Sequence, residues 1–445
     1  MALTIFAPAT APGRAGVAVV RISGTAAVAA LATMTGRTDW TPRRMEFVRF
    51  VDPANGEAID RGLAVVFPAP ASFTGEDVAE LHVHGAAAVL TKLTEVLARL
   101  PGLRWAEPGE FTRRAFDNGK MDLTAAEGLA DLIASETESQ RRQALTQMDG
   151  ALARRLEDLR SRAVAALAFV EAVIDFPDDE LPADTVDRGI GLIRDLRGEV
   201  VRLADSAQAG ARVRQGASVA VVGAPNAGKS SLVNRLAGWE VAIVSPEAGT
   251  TRDRVSVEMA LGGQAFTISD TAGLRAAEGE VEAEGVRRAE RAVAAADVRI
   301  AVFAADLWPA PQDPTWRWVD RDTVVVVNKS DLGLRLAPAP AGCPAPLAIS
   351  AATGDGLDAL GALLRDRIAA AAGRASGEGA PLTRERHRVL ALSALTALDR
   401  ALAARDLELQ AEDLRLAVRE LGRMTGRVDV EDVLDRIFGE FCIGK

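Results

Sequence analysis

Residues Gly223-Ala-Pro-Asn-Ala-Gly-Lys-Ser230 spell a complete phosphate-binding loop in the middle of a 445-residue chain. The run before it, Ser218-Val-Ala-Val-Val222, is apolar and rich in β-branched residues, as a buried strand requires. The run after it, Ser231-Leu-Val-Asn-Arg-Leu236, suits a helix. A strand, a glycine-rich turn and a helix start aim successive backbone N–H groups at one point, where a polyphosphate can sit. Lys229 would then reach the outer phosphates, and the Ser230 hydroxyl would hold Mg²⁺. An accidental glycine-rich turn before a helix is the plain alternative, and the register of strand, Lys-Ser and helix argues against it.

This loop fixes the class of its own domain, and the texture of the chain places that domain. Residues 216 to about 372 alternate strands and helices, with strands expected at Ser218–Val222, Ala265–Ser269, Arg299–Phe303, Thr323–Val327 and Leu347–Ser350. Before it, residues 1–118 read as α+β, with strands at Gly16–Ile22 and Glu80–His84 and a helix at Ala86–Leu100. From Asp122 to about Val173 the texture is helical, with Thr124-Ala-Ala-Glu127 as a candidate capping box. A second helix is expected from Thr185 to Ala207. Beyond the small-residue linker Gly373–Pro381, helices return at Thr383–Ala404, Ala411–Arg423 and Val430–Phe438. The sequence therefore predicts an α+β N-terminal domain at 1–118 and an all-α discontinuous helical domain at 119–212 and 376–445. Into the latter is inserted an α/β P-loop domain at 213–375, with a doubly wound, mainly parallel sheet.

Composition sets outer limits. With 48% hydrophobic and 26% charged residues, the chain can bury sizeable cores. Its net charge of −10 disfavours nucleic-acid binding through a broad basic surface. No apolar run is long enough to cross a bilayer, and the first residues lack the basic start of a secretory signal. Two cysteines, Cys343 and Cys442, make no disulfide framework, so a cytoplasmic location without a membrane is the expectation.

Four further strings choose the nucleotide. Asp270-Thr-Ala-Gly273 follows a strand and can set a carboxylate near Mg²⁺ and an N–H near a γ-phosphate. Asn328-Lys-Ser-Asp331 follows another, and the Asp331 carboxylate can accept two hydrogen bonds from guanine that adenine does not offer. Ser350-Ala-Ala352 suits a backbone contact to the guanine carbonyl, and Gly249-Thr-Thr-Arg-Asp253 supplies a switch threonine. In this order and spacing the set points to a GTPase. The position after the last glycine of D-T-A-G, where Ras-like enzymes keep a water-orienting glutamine, is Leu274. The acidic residues Glu278, Glu280, Glu282 and Glu284 are the candidates to replace it, against the alternative of a solvated acidic helix start. Arg252 is the nearest candidate for a charge-neutralising arginine, against a simple ion pair with Asp253 or Glu247.

The loop P-N-A-G-K-S, the switch G-T-T-R-D, D-T-A-G-L and N-K-S-D resemble those of the Era/TrmE-like GTPases. Pro12-Gly-Arg-Ala-Gly16, Ser72-Phe-Thr-Gly-Glu-Asp77, Gly109-Glu-Phe-Thr-Arg-Arg-Ala115 and the final Phe441-Cys-Ile-Gly-Lys445 resemble the tRNA-modifying branch of that family over essentially the whole chain. The resemblance implies a homodimer through the N-terminal domains. It implies a partnership with the flavoprotein MnmG, which brings FAD and NADH. The product is an aminomethyl or carboxymethylaminomethyl group on carbon 5 of the tRNA wobble uridine. A tetrahydrofolate derivative, 5-formyl or methylene, is the implied one-carbon source, and K⁺ stands where an arginine finger would.

By motif match, the GTP contacts are Asn226, Ala227, Gly228, Lys229, Ser230 and Ser231; Ser245, Pro246, Glu247, Ala248, Gly249, Thr250 and Thr251; Asp270, Thr271, Ala272 and Gly273; Asn328, Lys329 and Asp331; and Ser350 with Ala351. Mg²⁺ maps to Ser230 and Thr251, and K⁺ to Asn226, Ser245, Glu247 and Thr250. The resemblance singles out Glu282 as the water-orienting residue and assigns folate contacts to Arg21, Glu80, Lys120 and Lys445. His82-Val-His-Gly-Ala86 departs from the family's H-G-H-G-G, which bears on the shape of the folate pocket. His82 and His84 share one strand face without an evident third metal ligand. Cys442 is a candidate nucleophile, or a small residue in a tail. The pairs Arg113-Arg114, Arg141-Arg142 and Arg154-Arg155 would meet tRNA phosphates or simply coat helices. Two rival functions stand beside this reading: a regulatory or ribosome-assembly GTPase, and a folate enzyme for which GTP is only a regulator.

Overall fold

The computed structural model describes residues 3–175, 185–238, 256–270, 290–333, 337–373, 380–428, 434, 437–439, 441 and 444. The chain divides into two compact units, 1–130 with 422–445, and 131–421.

The first unit is built on one sheet. Its strands are β1 (Thr4–Pro8), β2 (Ala15–Ser23), β3 (Glu46–Val51), β4 (Ala58–Phe67), β5 (Val78–Gly85) and β6 (Leu103–Trp105). They lie in the order β3-β4-β5-β2-β1-β6, antiparallel except where β6 runs parallel to β1. Alternation decides the faces. In β2, Ala18, Val20 and Ile22 point inward, while Val17, Val19 and Arg21 point outward. The inward face meets α1 (Ala27–Thr35) and α2 (Ala87–Arg99) in a core that includes Phe6, Leu31, Met34, Phe50, Leu81 and Leu97. Strands β1, β3, β4 and β6 are not anticipated from sequence: β1 and β6 are short, and Gly62 and Arg61 break the apolar pattern of β4. Gly62 is required there, because a β-carbon would stand 2.0 Å from the His82 carbonyl oxygen on β5.

Two further helices, α3 (Glu110–Asp117) and α4 (Leu123–Ile133), lead out of the sheet. The expected capping box at Thr124 is not formed. Asp122 caps α4 instead, its Oδ1 accepting from the N–H groups of Thr124 and Ala125 at 2.8 and 3.1 Å and from the Thr124 hydroxyl at 2.6 Å. The end of the chain returns to this unit. Leu434, Ile437, Phe438 and Phe441 pack with Leu123, Ala126 and Phe116. Gly109, at φ 69°, passes so close beneath Phe438 that a β-carbon would stand 2.3 Å from its carbonyl oxygen.

The second unit opens with helices α5 (Glu138–Met148), α6 (Ala151–Asp175), α7 (Thr185–Asp205) and α8 (Ala207–Gln215). The helical run expected from Asp122 to Val173 is thus broken twice. Thr137 starts α5 with a capping box to Gln140, and Gly150 at φ 79° separates α5 from α6. A six-stranded sheet follows, comprising β7 (Ala217–Gly223), β8 (Ser256–Leu261), β9 (Gln264–Asp270), β10 (Val298–Ala304), β11 (Val324–Asn328) and β12 (Leu347–Ala348). Helices α9 (Lys229–Ala237) and α10 (Leu357–Gly373) belong to it, and α11 (Glu385–Ala403) and α12 (Leu407–Thr425) come after. The order β12-β11-β10-β7-β9-β8 is parallel throughout except for the β8–β9 hairpin. Strand β7 is buried on both faces, Val219 and Val221 in one core, Ala220 and Val222 in the other. The order reverses at β7, which places the crevice beyond its carboxyl end.

Asp52 offers a test of the first unit. Its carboxylate is buried at the turn between β3 and β4 and accepts from Lys92 Nζ at 2.9 Å, Ala54 N at 3.0 Å and Arg99 Nη2 at 2.7 Å. The Lys92 ammonium, then the Ala54 amide and Arg99, hold its pKa down to about 2. A carboxylate lowered by folding contributes stability above its unfolded pKa of about 4 and loses it as pH falls through the folded value. Asp52→Asn should therefore lower the melting temperature at pH 7, and the gap to wild type should close between about pH 4 and pH 2 in thermal melts.

Candidate functional site

The mouth of the second sheet is lined by the loop after β7. Gly223 lies against β10, where a β-carbon would stand 2.4 Å from the Val302 carbonyl oxygen. Asn226 takes a left-handed turn at φ 64°, and Gly228, at φ 92°, precedes the first turn of α9. The backbone N–H groups and positive dipole end of that turn face the loop and make it receptive to an anion. Lys229 Nζ donates to the carbonyls of Gly223 at 2.9 Å and Ala224 at 3.0 Å, which sets its ammonium across the loop. Ser230 and Ser231 follow in the same turn.

One side chain joins this loop to the next. Asn328, at the end of β11, is 3% exposed. Its Nδ2 donates to the Ala227 carbonyl at 3.0 Å, and its Oδ1 accepts from Ala351 N–H at 2.9 Å. Gly228 makes room for this bridge, since a β-carbon there would stand 2.1 Å from Asn328 Nδ2. Lys329 follows at φ 69°, its ammonium 3.7 Å from Asp306. Asp331 is exposed, and its Oδ1 accepts from the buried Ser350 hydroxyl at 2.6 Å. A cavity of about 740 Å³ runs from Pro225 and Asn226 past Lys229 to Asp331 and Ala352. That is the size of a pocket for a nucleotide-sized ligand, in the range of about 300–1,000 Å³.

Of the residues read from sequence, Asn226–Ser231, Asn328, Lys329, Asp331, Ser350 and Ala351 come together here. Asp270 ends β9 in register with Val221 of β7, at the same end of the sheet. Ser245, Pro246, Glu247, Ala248, Gly249, Thr250, Thr251, Arg252, Thr271, Ala272, Gly273, Leu274, Glu278, Glu280, Glu282, Glu284, Cys442 and Lys445 lie outside the described residues. Sequence reasoning did not see that Asn328 is a strut. Its motif marks the position, but only the fold brings Ala227 and Ala351 to its two ends.

A second polar group lies on the outward face of the first sheet. Arg21 and Glu80 are direct cross-strand partners, and Arg21 Nε and Nη2 both reach Glu80 Oε1 at 2.9 Å. The guanidinium lies over Phe73 at 5.3 Å and beside Phe111 at 5.9 Å. His82 Nε2 is 3.4 Å from Glu80 Oε2. The structure does not draw Lys120 into this pair. Its ammonium donates to the Pro70 carbonyl at 2.9 Å, on the loop that carries Phe73. His84 is bound to Asp60, Nδ1 to Oδ1 at 2.9 Å, so the two histidines serve different carboxylates. Burial works to raise the Asp60 pKa, but hydrogen bonds from the His84 backbone and ring outweigh it and hold it below the usual range.

The arginine pairs separate. Arg114 is mostly buried and committed to Glu76 at 3.0 Å, Glu110 at 2.9 Å and the Leu3 carbonyl, so it is not a phosphate contact. Arg141 and Arg142 both pair with Glu138. Arg155 donates to the Ala380 carbonyl, and burial pulls its pKa down.

A parallel sheet whose order reverses at a strand ending in a phosphate loop, with a second loop pinned to the first by one amide, defines a P-loop GTPase fold. A family profile described as MnmE helical domain matches residues 123–442, and one described as GTP-binding protein TrmE N-terminus matches residues 4–120. Three full-length relatives carry the description tRNA modification GTPase MnmE. That of Parvibaculum lavamentivorans is 53% identical over 99% of this chain and 100% of its own. That of Paramagnetospirillum magneticum is 52% identical over 100% of both, and that of Rhodospirillum rubrum 51% identical over 99% of both. The chain belongs to the MnmE (TrmE) family.

The Asn328 strut makes a direct prediction. Asn328→Ala leaves the Ala227 carbonyl and the Ala351 N–H without their partner, at a cost of about 1–3 kcal/mol. Melts should show the loss of stability, and calorimetry should show GDP affinity reduced at least roughly tenfold through the misaligned loops.

Proposed function

We propose that this chain hydrolyses GTP in the service of tRNA modification. In this reading it acts with the flavoprotein MnmG, which carries FAD and NADH, to place an aminomethyl or carboxymethylaminomethyl group on carbon 5 of the wobble uridine. A tetrahydrofolate derivative supplies the carbon. The observation that carries the GTP assignment is the pinning of the Asn328–Asp331 loop to the phosphate loop, which aligns a carboxylate for a base with N–H groups for phosphates. Full-length similarity to proteins described as tRNA modification GTPases supports the rest.

The chemistry follows from the donor set. Asp331 accepts from the guanine edge, and adenine, which offers no matching pair of donors, leaves that acceptance unmet. Ser230 and Thr251 would hold Mg²⁺, assisted by Asp270. Asn226, whose left-handed turn presents a neutral amide at the loop, suits a hard monovalent cation, and with Ser245, Glu247 and Thr250 it would hold K⁺. Bound there, these ions would neutralise charge that develops on the phosphoryl oxygens. Glu282 orients the attacking water in place of the glutamine that Leu274 replaces.

In the first unit, the Arg21 guanidinium suits a folate carboxylate and Glu80 suits pterin N–H donors, with Lys120 and Lys445 as further contacts. Phe73 adds an aromatic surface beside them. A homodimer through this unit is supported by its outward sheet face. Phe47, 72% exposed, stands directly opposite Leu63, with Met45 and Val17 also exposed. Cys442 remains a candidate nucleophile in the tail. No helix among the described residues is long and apolar enough to cross a membrane, and the site of action is taken as the cytoplasm, where tRNA is modified.

Mass spectrometry of tRNA nucleosides tests the reading. A strain lacking this protein should lose the carbon-5 modification of the wobble uridine, and an unchanged profile would favour the regulatory or ribosome-assembly alternative. A second test compares GTP hydrolysis in K⁺ and Na⁺ at equal ionic strength. The rate should be higher in K⁺ by roughly tenfold or more, the scale on which a charge-stabilising group acts, and equal rates would remove K⁺ from the mechanism.

A further inference from the structure

The phosphate loop and Asp270 sit at one end of the second sheet, and a helix that precedes the sheet in sequence makes polar contacts at its other end. Strands β7 and β9 pair in parallel from Ala217↔Phe266 to Val221↔Asp270. Strand β9 lies against α5. Ser139 Oγ donates to the Gly263 carbonyl at 2.8 Å, in the turn between β8 and β9. Gln140 Nε2 donates to the Arg214 carbonyl at 3.0 Å, three residues before β7. Gln143 Nε2 donates to the Gly210 carbonyl at 3.0 Å, in α8.

Gln140 is committed at both ends of its amide. Its Oε1 accepts from the N–H groups of Glu136 and Thr137 and from the Thr137 hydroxyl, each at 3.0 Å. The group that starts α5 is therefore the same group that holds the approach to β7. All three contacts end on main-chain carbonyls, so they follow the displacement of the backbone itself and not the rotamer of a neighbouring side chain.

Strand β8 is an edge, and β9 joins the rest only through its ladder with β7. The turn between them is made of Gly262 and Gly263, both in the left-handed region. From Ala265 to Asp270 the strand is a stiff rod of roughly 17 Å, at about 3.3 Å per residue. The opposite side of β7 is fixed. Asp297 accepts from Arg212 Nε at 2.6 Å and from the Ser218 N–H and hydroxyl at 2.9 Å, and Arg212 also donates to the Ala371 carbonyl.

We infer that α5 is the element that senses the nucleotide, with Ser139 as the positioning residue that couples it to the β8–β9 hairpin. A change at the Asp270 end of β9 displaces the rod, and the Ser139–Gly263 bond passes that displacement to α5. Neither Ser139 nor α5 touches the nucleotide cavity. The inference rests on the GTP reading of that cavity and deepens it.

Hydrogen exchange followed by mass spectrometry tests it on the full chain, with Mg²⁺ and K⁺ present, in GDP and in a non-hydrolysable GTP analogue. In wild type, amides of Glu138–Met148 should exchange at rates differing roughly threefold or more between the two states, as for a local opening equilibrium that ligand biases. Ser139→Ala should flatten that difference while leaving nucleotide affinity unchanged, and Ser139→Thr, which keeps the hydroxyl, should restore it. Equal exchange of α5 in the two states, with the analogue bound, would overturn the inference and leave the GTP reading standing. So would a Ser139→Ala protein that responds like wild type. Failure of the analogue to bind at all would overturn the GTP reading and the inference with it.

Discussion

The amide of Asn328 is the contact on which the nucleotide site depends. A phosphate loop by itself offers N–H groups to any polyphosphate, and a carboxylate on a separate loop offers acceptors to any donor. Asn328 spans the gap, with Ala227 at one end and Ala351 at the other, and it does so from a buried strand end that has little freedom. Each of its two bonds is modest, about 1 kcal/mol net, but the penalty for losing them falls on two buried main-chain groups. The positive φ of Gly228 belongs to the same constraint, because only a residue without a β-carbon leaves space for the bridge.

The central strands of the second sheet, β7, β10 and β11, are legible in the sequence because they are buried on both faces, whereas the edge strand β8 is not anticipated. Val324-Val-Val-Val327 and Ser218–Val222 are continuous apolar runs, each followed by a motif whose residues have fixed roles. The first sheet was only half legible. Gly16–Ile22 and Glu80–His84 alternate cleanly and are found as β2 and β5. Strand β4 is hidden by Asp60, Arg61 and Gly62, and Gly62 is understood only once β5 is seen lying against it. The helical region failed in a different way. Alanine, leucine and arginine favour helix on both sides of Thr137 and Gly150, so periodicity ran through two breaks that are made by caps and a left-handed glycine. At Asp122 the rule was sound and the position was off by two residues: a carboxylate, and not the threonine after it, takes the free N–H groups.

Site residues divide along the same line. Those fixed by local order, such as Lys229 and Ser230 after a strand, could be named from sequence. Those that act across the fold could not. Phe73 beneath Arg21 and His82 beside Glu80 lie in recognisable strings that say nothing of these contacts, and Ser139 on Gly263 carries no motif at all. Arg114 shows the converse: a basic pair that suggests phosphate contact is, in the fold, a buried partner of two glutamates.

The proposed role of the pinned loops is to read guanine and phosphate together, and nucleotide selectivity tests it most directly. Calorimetric titration of the full chain with GDP, inosine diphosphate and ADP isolates the base. Bidentate acceptance by Asp331 requires GDP to bind tightest and inosine diphosphate, which lacks the 2-amino donor, to bind more weakly. ADP should fall by roughly 10⁴-fold, the discrimination expected when a site's own polar groups are left unpaired. ADP binding within about tenfold of GDP would contradict the account.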